Sequence, residues 1–326
     1  MFFLIAVFVF ALAYVLTPIV TALSWKVGAV DIPQDWRRMH HESIPRGGGV
    51  AIILPFILGC ILTGRVDGHL GAGLFGCVLM LSVGLLDDIF CLGPRLKLLL
   101  QLATVASAVL LSDAVRGWGS VVAVLWVVAM TNAHNFIDGM DGLLSGCCSI
   151  EAILLGGTLA LAGENGAAGA AVLLGVACLG FRPYNRHPAR VFAGDCGSES
   201  LGFMLGFLSL PLLLNASFGF SGLSPIFLFA YPLADMVAAV LRRVLRGRSP
   251  LAADRGHLHH RLYAAHLSVP QCVGVLMTVC ASLGSIGVFL STQGLWLFAS
   301  VACLLTAFVF LGVRQYVMSG GFTERG

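Results

Sequence analysis

Residues 70–88 read LGAGLFGCVLMLSVGLLDD. The first seventeen of them, 70–86, carry no charge, and the run ends on two adjacent aspartates, Asp87 and Asp88. The run is continuously apolar rather than alternating, so it does not have the pattern of a barrel strand. Backbone groups in hydrocarbon must be bonded within their own segment, which makes the run a membrane helix with an acidic end.

Outward from it the same pattern repeats. The chain has 326 residues, of which 58% are hydrophobic and 11% charged, with a mean hydropathy of +0.93. A soluble fold of this size could not hide so much apolar surface. Apolar runs fall at 2–23, 48–64, 70–86, 97–112, 117–131, 146–162, 167–182, 201–217, 223–241, 271–290 and 293–313. The expected fold is therefore all-α, a polytopic membrane bundle of 10–11 transmembrane helices forming a single integral membrane domain over 1–326. Several runs fall short of the ~20 residues of a straight crossing. Residues 1–23 have no basic leader region, and their apolar run is too long for a signal peptide, so they are expected to be an uncleaved first helix.

The loops between these runs are unequal. One set, taken alternately, holds DIPQDWRRMHHESIPRGGG (31–49), DDIFCLGPRLK (87–97), TNAHNFIDGMDG (131–142), FRPYNRHPARVFAGDCGSES (181–200) and RRVLRGRSPLAADRGHLHHRL (242–262). The other set holds almost nothing polar. Seventeen of the 19 lysines and arginines lie on the polar side, and only Arg65 and Arg116 lie opposite. Positive charge collects on the cytoplasmic side of membranes. The polar face is thus expected to be cytoplasmic, with the N-terminus outside. The net charge of +3 follows from that bias and gives no nucleic-acid footprint. The ten cysteines contain no CxxC pair, which argues against a disulfide framework or a zinc site.

The polar loops carry the chemistry. Asp87 and Asp88 repel each other unless they meet a cation, a proton or a substrate. They are either an interfacial turn or a base and magnesium-organising pair, with Arg95 and Lys97 close enough to hold an anion. Asn132, Asn135, Asp138 and Asp141 recur every third residue, a spacing that puts neighbours on one side of a helix. Asp195 lies in the tight turn Gly194-Asp195-Cys196-Gly197, where backbone or phosphate can approach closely. Mg²⁺ favours one or two carboxylates plus phosphates and water. The other reading of that stretch is a turn before a helix starting near Ser200, with Ser198 as its cap. His257, His259 and His260 stand beside Arg255 and Arg261, which suits phosphate contacts better than zinc. Arg46 precedes three glycines that could cradle a phosphate, or the segment with Arg37, Arg38 and His40 could bind lipid headgroups. Asp235 and Glu151 are intramembrane acids and so candidates by default; Asp235 lies near the polar end of its helix, and Glu151 could pair structurally.

Taken in order, these motifs resemble the polyprenyl-phosphate N-acetylhexosamine-1-phosphate transferase family, over nearly the whole chain. The NFIDG and HLHH forms look more like the branch that initiates O-antigen, enterobacterial common antigen or teichoic-acid linkage units. Ala193 departs from the usual Met at a wall position, which bears on the shape of the sugar pocket, and the GSES after Asp195 is also atypical. The resemblance implies a bacterial inner-membrane enzyme that moves a sugar-1-phosphate from a UDP-N-acetylhexosamine to polyprenyl phosphate, with UMP as the other product. It implies Mg²⁺, or Mn²⁺ in its place, held by Asp195, and acceptor chemistry at Asp87 and Asp88. Asp138, His259 and His260 would complete the catalytic set. Asn132, Asn135, Asp141, Asn185, Phe192, Arg255, His257 and Arg46 would bind substrate, with Phe192 stacking on uracil. A homodimer is compatible with this reading. The rivals are a phospho-N-acetylmuramoyl-pentapeptide transferase, a cation-coupled transporter and a non-catalytic scaffold.

Overall fold

In the computed structural model, residues 1–32, 43–112, 115–214, 222–250 and 256–292 are described. Their helices are α1 (Phe2–Val27), α2 (Gly48–Leu62), α3 (Gly68–Phe90), α4 (Pro94–Leu111), α5 (Trp118–Ile137), α6 (Leu143–Leu161), α7 (Asn165–Asn185), α8 (Gly194–Leu208), α9 (Leu210–Leu214), α10 (Ser224–Leu228), α11 (Ala230–Leu245), α12 (Leu258–Ala264) and α13 (Val269–Thr292). A two-residue antiparallel ribbon pairs β1 (Val30–Asp31) with β2 (Ile44–Pro45). Among the described residues seven helices are long and apolar enough to cross a bilayer: α1, α3, α4, α5, α6, α7 and α13. The all-α polytopic expectation holds. The run at 293–313 lies outside the described residues, as do Arg37, Arg38, His40 and Arg255.

Local sequence sets the helix ends. Asp67 caps α3 by accepting the Leu70 N–H at 2.7 Å, satisfying one of the donors that a helix start leaves open. Cys91 ends α3 in the left-handed region at φ 52°, and Pro94 then starts α4 at a position where a missing N–H costs nothing. Where the expected spans differ from the helices, tertiary contacts account for it. The expected helix near Ser200 starts instead at Gly194, and Ser198 lies inside it. The expected run at 223–241 is divided at Phe229 into α10 and α11. Likewise the run at 201–217 breaks at Ser209, whose hydroxyl accepts from Trp126 Nε1 at 3.0 Å.

Small residues let helices close on one another, as in membrane bundles generally. A Cβ on Gly76 would strike the Phe203 ring and the Ala108 methyl. A Cβ on Gly84 would strike the backbone of Asp195 and Cys196. Gly84 lies one turn before Asp87 and Asp88, so the start of α8 rests directly against the acidic end of α3. Deeper among the helices, His134 Nδ1 donates to Met130 O at 2.8 Å and Nε2 lies 2.8 Å from Glu151 Oε2, both side chains fully buried. This pair joins α5 to α6 below the loop between them.

Candidate active site

Side-chain contacts join the polar end of α3, the starts of α4 and α8 and the end of α5. Asp88 shows what this achieves. Its two carboxylate oxygens accept the Asp195 and Cys196 N–H groups at 2.9 and 3.0 Å. A carboxylate from α3 thereby caps the positive end of α8. Asp87 turns elsewhere: Oδ1 accepts the Leu92 N–H at 2.6 Å, and Oδ2 lies 2.7 Å from Lys97 Nζ. The repulsion expected of adjacent aspartates is relieved by two separate partners.

Asp195 stands in the first turn of α8, after Gly194 at φ 74°. A Cβ at 194 would meet the Arg46 carbonyl and, at 2.6 Å, the Asp88 carboxylate, so only glycine lets these three segments converge. Asp195 Oδ1 accepts from Asn135 Nδ2 at 2.5 Å and lies 3.1 Å from Lys97 Nζ. Asn135 also donates to Ser198 Oγ at 2.9 Å. Lys97 reaches a third acid, Glu199, at 2.7 Å. One oxygen from each of Asp87, Asp195 and Glu199 lies within 4.8 Å of the others. That oxygen-only set, with its excess of negative charge, fits a hard divalent cation.

A cavity of about 380 Å³ opens beside this cluster. Asp88, Asn135, Asp138, Asp141, Asp195 and His260 line it, with Arg46 and Phe192 at other walls. Burial and the neighbouring Asp195 and Asp88 carboxylates push the Asp138 carboxyl up to about 8. Asp141 Oδ2 accepts from the Ala189 N–H at 3.1 Å and pairs with His187 Nδ1 at 2.7 Å, fixing the loop that leads to Phe192. Arg46 pairs with Asp31 at 2.5 Å.

The histidines divide. Asp235, at 1% exposure, accepts from His257 Nδ1 at 2.7 Å and from the Leu258 N–H at 2.9 Å. It thus orients His257 and caps α12 together. His257 and His259 stack at 5.7 Å between centroids, 8° apart. His259 is buried, and neither ring nitrogen has a hydrogen-bond partner among the described residues. Burial and the adjacent His260 and His257 lower its pKa to about 3.

Three placements correct the sequence reading. Asn132 is spent inside the bundle: Nδ2 donates to Gln101 Oε1 at 2.9 Å and to Val128 O at 2.8 Å. The row of every third residue drifts round the helix, so only Asn135 and the residues past the helix end reach the cavity. Asn185 is buried; it accepts from Ser145 Oγ at 2.8 Å and donates to Val191 O at 3.0 Å. It shapes the Phe192 loop rather than lining the cavity. The glycines after Arg46 are no open phosphate cradle either. Gly48 and Gly49 donate to Phe192 O and Ala193 O at 3.0 and 2.8 Å, and a Cβ on Gly48 would strike Phe192 O at 2.5 Å. Their smallness lets α2 pack on the Asp195 turn.

Lys97 and Glu199 belong to the site although the motifs did not select them as site residues. From the sequence alone Lys97 reads only as an anion holder. Glu199 left one signal, the unusual GSES.

The geometry defines a helical membrane protein with an acidic cavity of about 380 Å³ at its helix ends. Residues 70–213 match glycosyl transferase family 4. The chain is 33% identical over 311 residues to the probable undecaprenyl-phosphate N-acetylglucosaminyl 1-phosphate transferase of Bacillus subtilis, covering 90% of this chain and 86% of that relative. It is 32% identical to the undecaprenyl-phosphate alpha-N-acetylglucosaminyl 1-phosphate transferase of Yersinia pestis, covering 95% and 89%. The decaprenyl-phosphate N-acetylglucosaminephosphotransferase of Mycobacterium tuberculosis is 29% identical, covering 94% and 86%. This chain belongs to the polyprenyl-phosphate N-acetylhexosamine-1-phosphate transferase family.

Proposed function

We propose that the cavity binds a UDP-N-acetylhexosamine and that the protein transfers its sugar-1-phosphate to undecaprenyl phosphate in the bacterial inner membrane, from the cytoplasmic face. The observation that carries this reading is the cluster of Asp87, Asp195 and Glu199 oxygens beside a cavity of about 380 Å³. The relatives' names supply the acceptor class and favour N-acetylglucosamine as the sugar. Polar residues gathered at one end let a soluble nucleotide sugar and a lipid phosphate meet without either crossing the bilayer.

The acceptor phosphate oxygen forms a bond to the β-phosphorus of the donor, and the bond from that phosphorus to the α–β bridging oxygen breaks. UMP leaves, and the lipid diphospho-sugar remains. A phosphate monoester has its second pKa near ~6, so the acceptor arrives largely as a dianion. No proton has to be removed from it. Asp87, held to Lys97, therefore acts by positioning charge rather than as an obligatory base. Catalysis of phosphoryl transfer rests on positioning and charge neutralisation.

Asp195 would hold a Mg²⁺ ion, with Asn135 orienting its carboxylate and Asp88 fixing the turn it stands on. When bound, the cation would neutralise charge on the diphosphate. Phe192 offers its ring to the uracil, Asp141 holds the loop that carries it, and His260 and Arg46 face the phosphates. His259 supplies neutral ring nitrogens, whose desolvation is relieved when a phosphate oxygen accepts from one of them.

Purified protein given radiolabelled UDP-N-acetylglucosamine and undecaprenyl phosphate is expected to release UMP and form an organic-extractable diphospho-sugar. Preferential use of the nucleotide-pentapeptide donor would move the protein to the muramoyl branch. No UMP release from any UDP-sugar, with solute uptake into vesicles, would replace transfer by transport.

A further inference from the structure

We propose that Glu199 is a positioning residue that sets the divalent-cation affinity of the site by drawing the Lys97 ammonium away from Asp195. The inference rests on the divalent-cation reading above and gives Glu199, so far only one member of the acid cluster, a role of its own.

Glu199 lies four residues after Asp195 on α8, so both carboxylates share one side of the helix. It is fully buried. Lys97 Nζ lies 2.7 Å from Glu199 Oε1 and from Asp87 Oδ2, but 3.1 Å from Asp195 Oδ1. The ammonium thus stands where a hard cation could share the same oxygens, and it leans towards the two acids other than Asp195. Asp195 lines the cavity, whereas Lys97 and Glu199 lie behind it.

Three carboxylates around one ammonium leave the cluster short of positive charge. A buried charge without compensation is costly, so the cluster is relieved by a proton or by a second cation, and Asp195, which lines the cavity, is the acid such a cation can reach. Removing the Glu199 charge would act twice in one direction. The local negative charge would fall, and Lys97 would be left to Asp87 and Asp195 alone, competing for the latter. The bland reading makes Glu199 a mere neutraliser of Lys97. It expects Glu199→Gln to lower thermal stability and leave the cation affinity of the folded protein unchanged.

The test is Mn²⁺ binding to the full chain in detergent, read from the free-ion signal in electron paramagnetic resonance without substrates. Wild type is expected to bind Mn²⁺, and Glu199→Gln to bind it roughly tenfold or more weakly, the usual scale for residues behind a ligand. In a Lys97→Met background the same substitution is expected to cost clearly less, because the competitor is gone. Should Glu199→Gln not fold, Glu199→Asp, which keeps the charge but shortens its reach, is expected to weaken binding to an intermediate degree. Unchanged affinity in a folded Glu199 variant overturns this inference alone. An equal loss with and without Lys97 also overturns it and makes Glu199 a direct ligand. A wild type that binds no Mn²⁺ overturns both this inference and the divalent reading.

Discussion

His259 occupies the space that the missing side chain of Gly139 leaves. A Cβ at position 139 would stand 2.9 Å from His259 Cε1 and would strike Nε2. The glycine of NFIDG and the second histidine of HLHH, far apart in the chain, are two halves of one contact. Gly139→Ala is therefore expected to push His259 out of place while leaving the helices intact. A displacement of about 1 Å in such a site can cost on the order of 10²-fold in rate. UMP release should fall by roughly that factor with little change in melting temperature. Near wild-type turnover would mean that His259 is not held by this contact.

Two side chains give opposite pH dependences of stability. His259 titrates near about 3 in the folded chain, against 6.5 for a free imidazole. Between those values the unfolded chain holds a proton that the folded chain lacks, so stability should fall as pH drops from 6.5 towards 3. Asp138 titrates near about 8 rather than 3.8. Between those values the folded chain holds the extra proton, so stability should fall as pH rises from 3.8 towards 8. Thermal unfolding in EDTA should show a flatter acid limb for His259→Gln and a flatter alkaline limb for Asp138→Asn. Wild-type slopes in both variants would contradict these assignments.

Asp235 touches no cavity wall yet holds both His257 and the first N–H of α12. Asp235→Asn keeps the shape but offers an amide in place of one acceptor oxygen. Turnover is expected to drop severalfold or more, with a smaller change in KM, because histidine alignment is disturbed while the pocket persists. A change confined to KM would place Asp235 in substrate binding instead.

Glu151 and His134 are a fully buried pair, away from the cavity. Removing one member of such a pair strands the other, at a cost of about 3–5 kcal/mol. Glu151→Ala should lower the melting temperature markedly while the protein that remains folded keeps its activity. A loss of activity without loss of stability would give the pair a functional role.

Much of this was legible in the sequence because the bilayer imposes a strong pattern. Uncharged runs ending in acids, amides and histidines located the helices and their shared polar end. Asp195, Asp138 and His260, which line the cavity, stand out in the sequence because few ordinary loops carry such groups in that order. What was not legible depends on contacts across the chain. The start of α8 at Gly194 rests on a cap supplied by Asp88, which no local cap rule could reveal. The glycines after Arg46 resembled an open anion loop, but their N–H groups are spent on Phe192 and Ala193. Asn132 shares the spacing of Asn135 yet turns towards Gln101. Lys97 is one basic residue among many until the fold surrounds it with three acids.

The most direct test of the carboxylate cluster is UMP release by Asp195→Asn beside wild type, across a magnesium titration with an EDTA control. Wild-type activity is expected to require the cation, and the folded variant to show none at any magnesium concentration. Substantial release by Asp195→Asn, or by wild type in EDTA, would contradict the assignment of Asp195 as the cation's ligand.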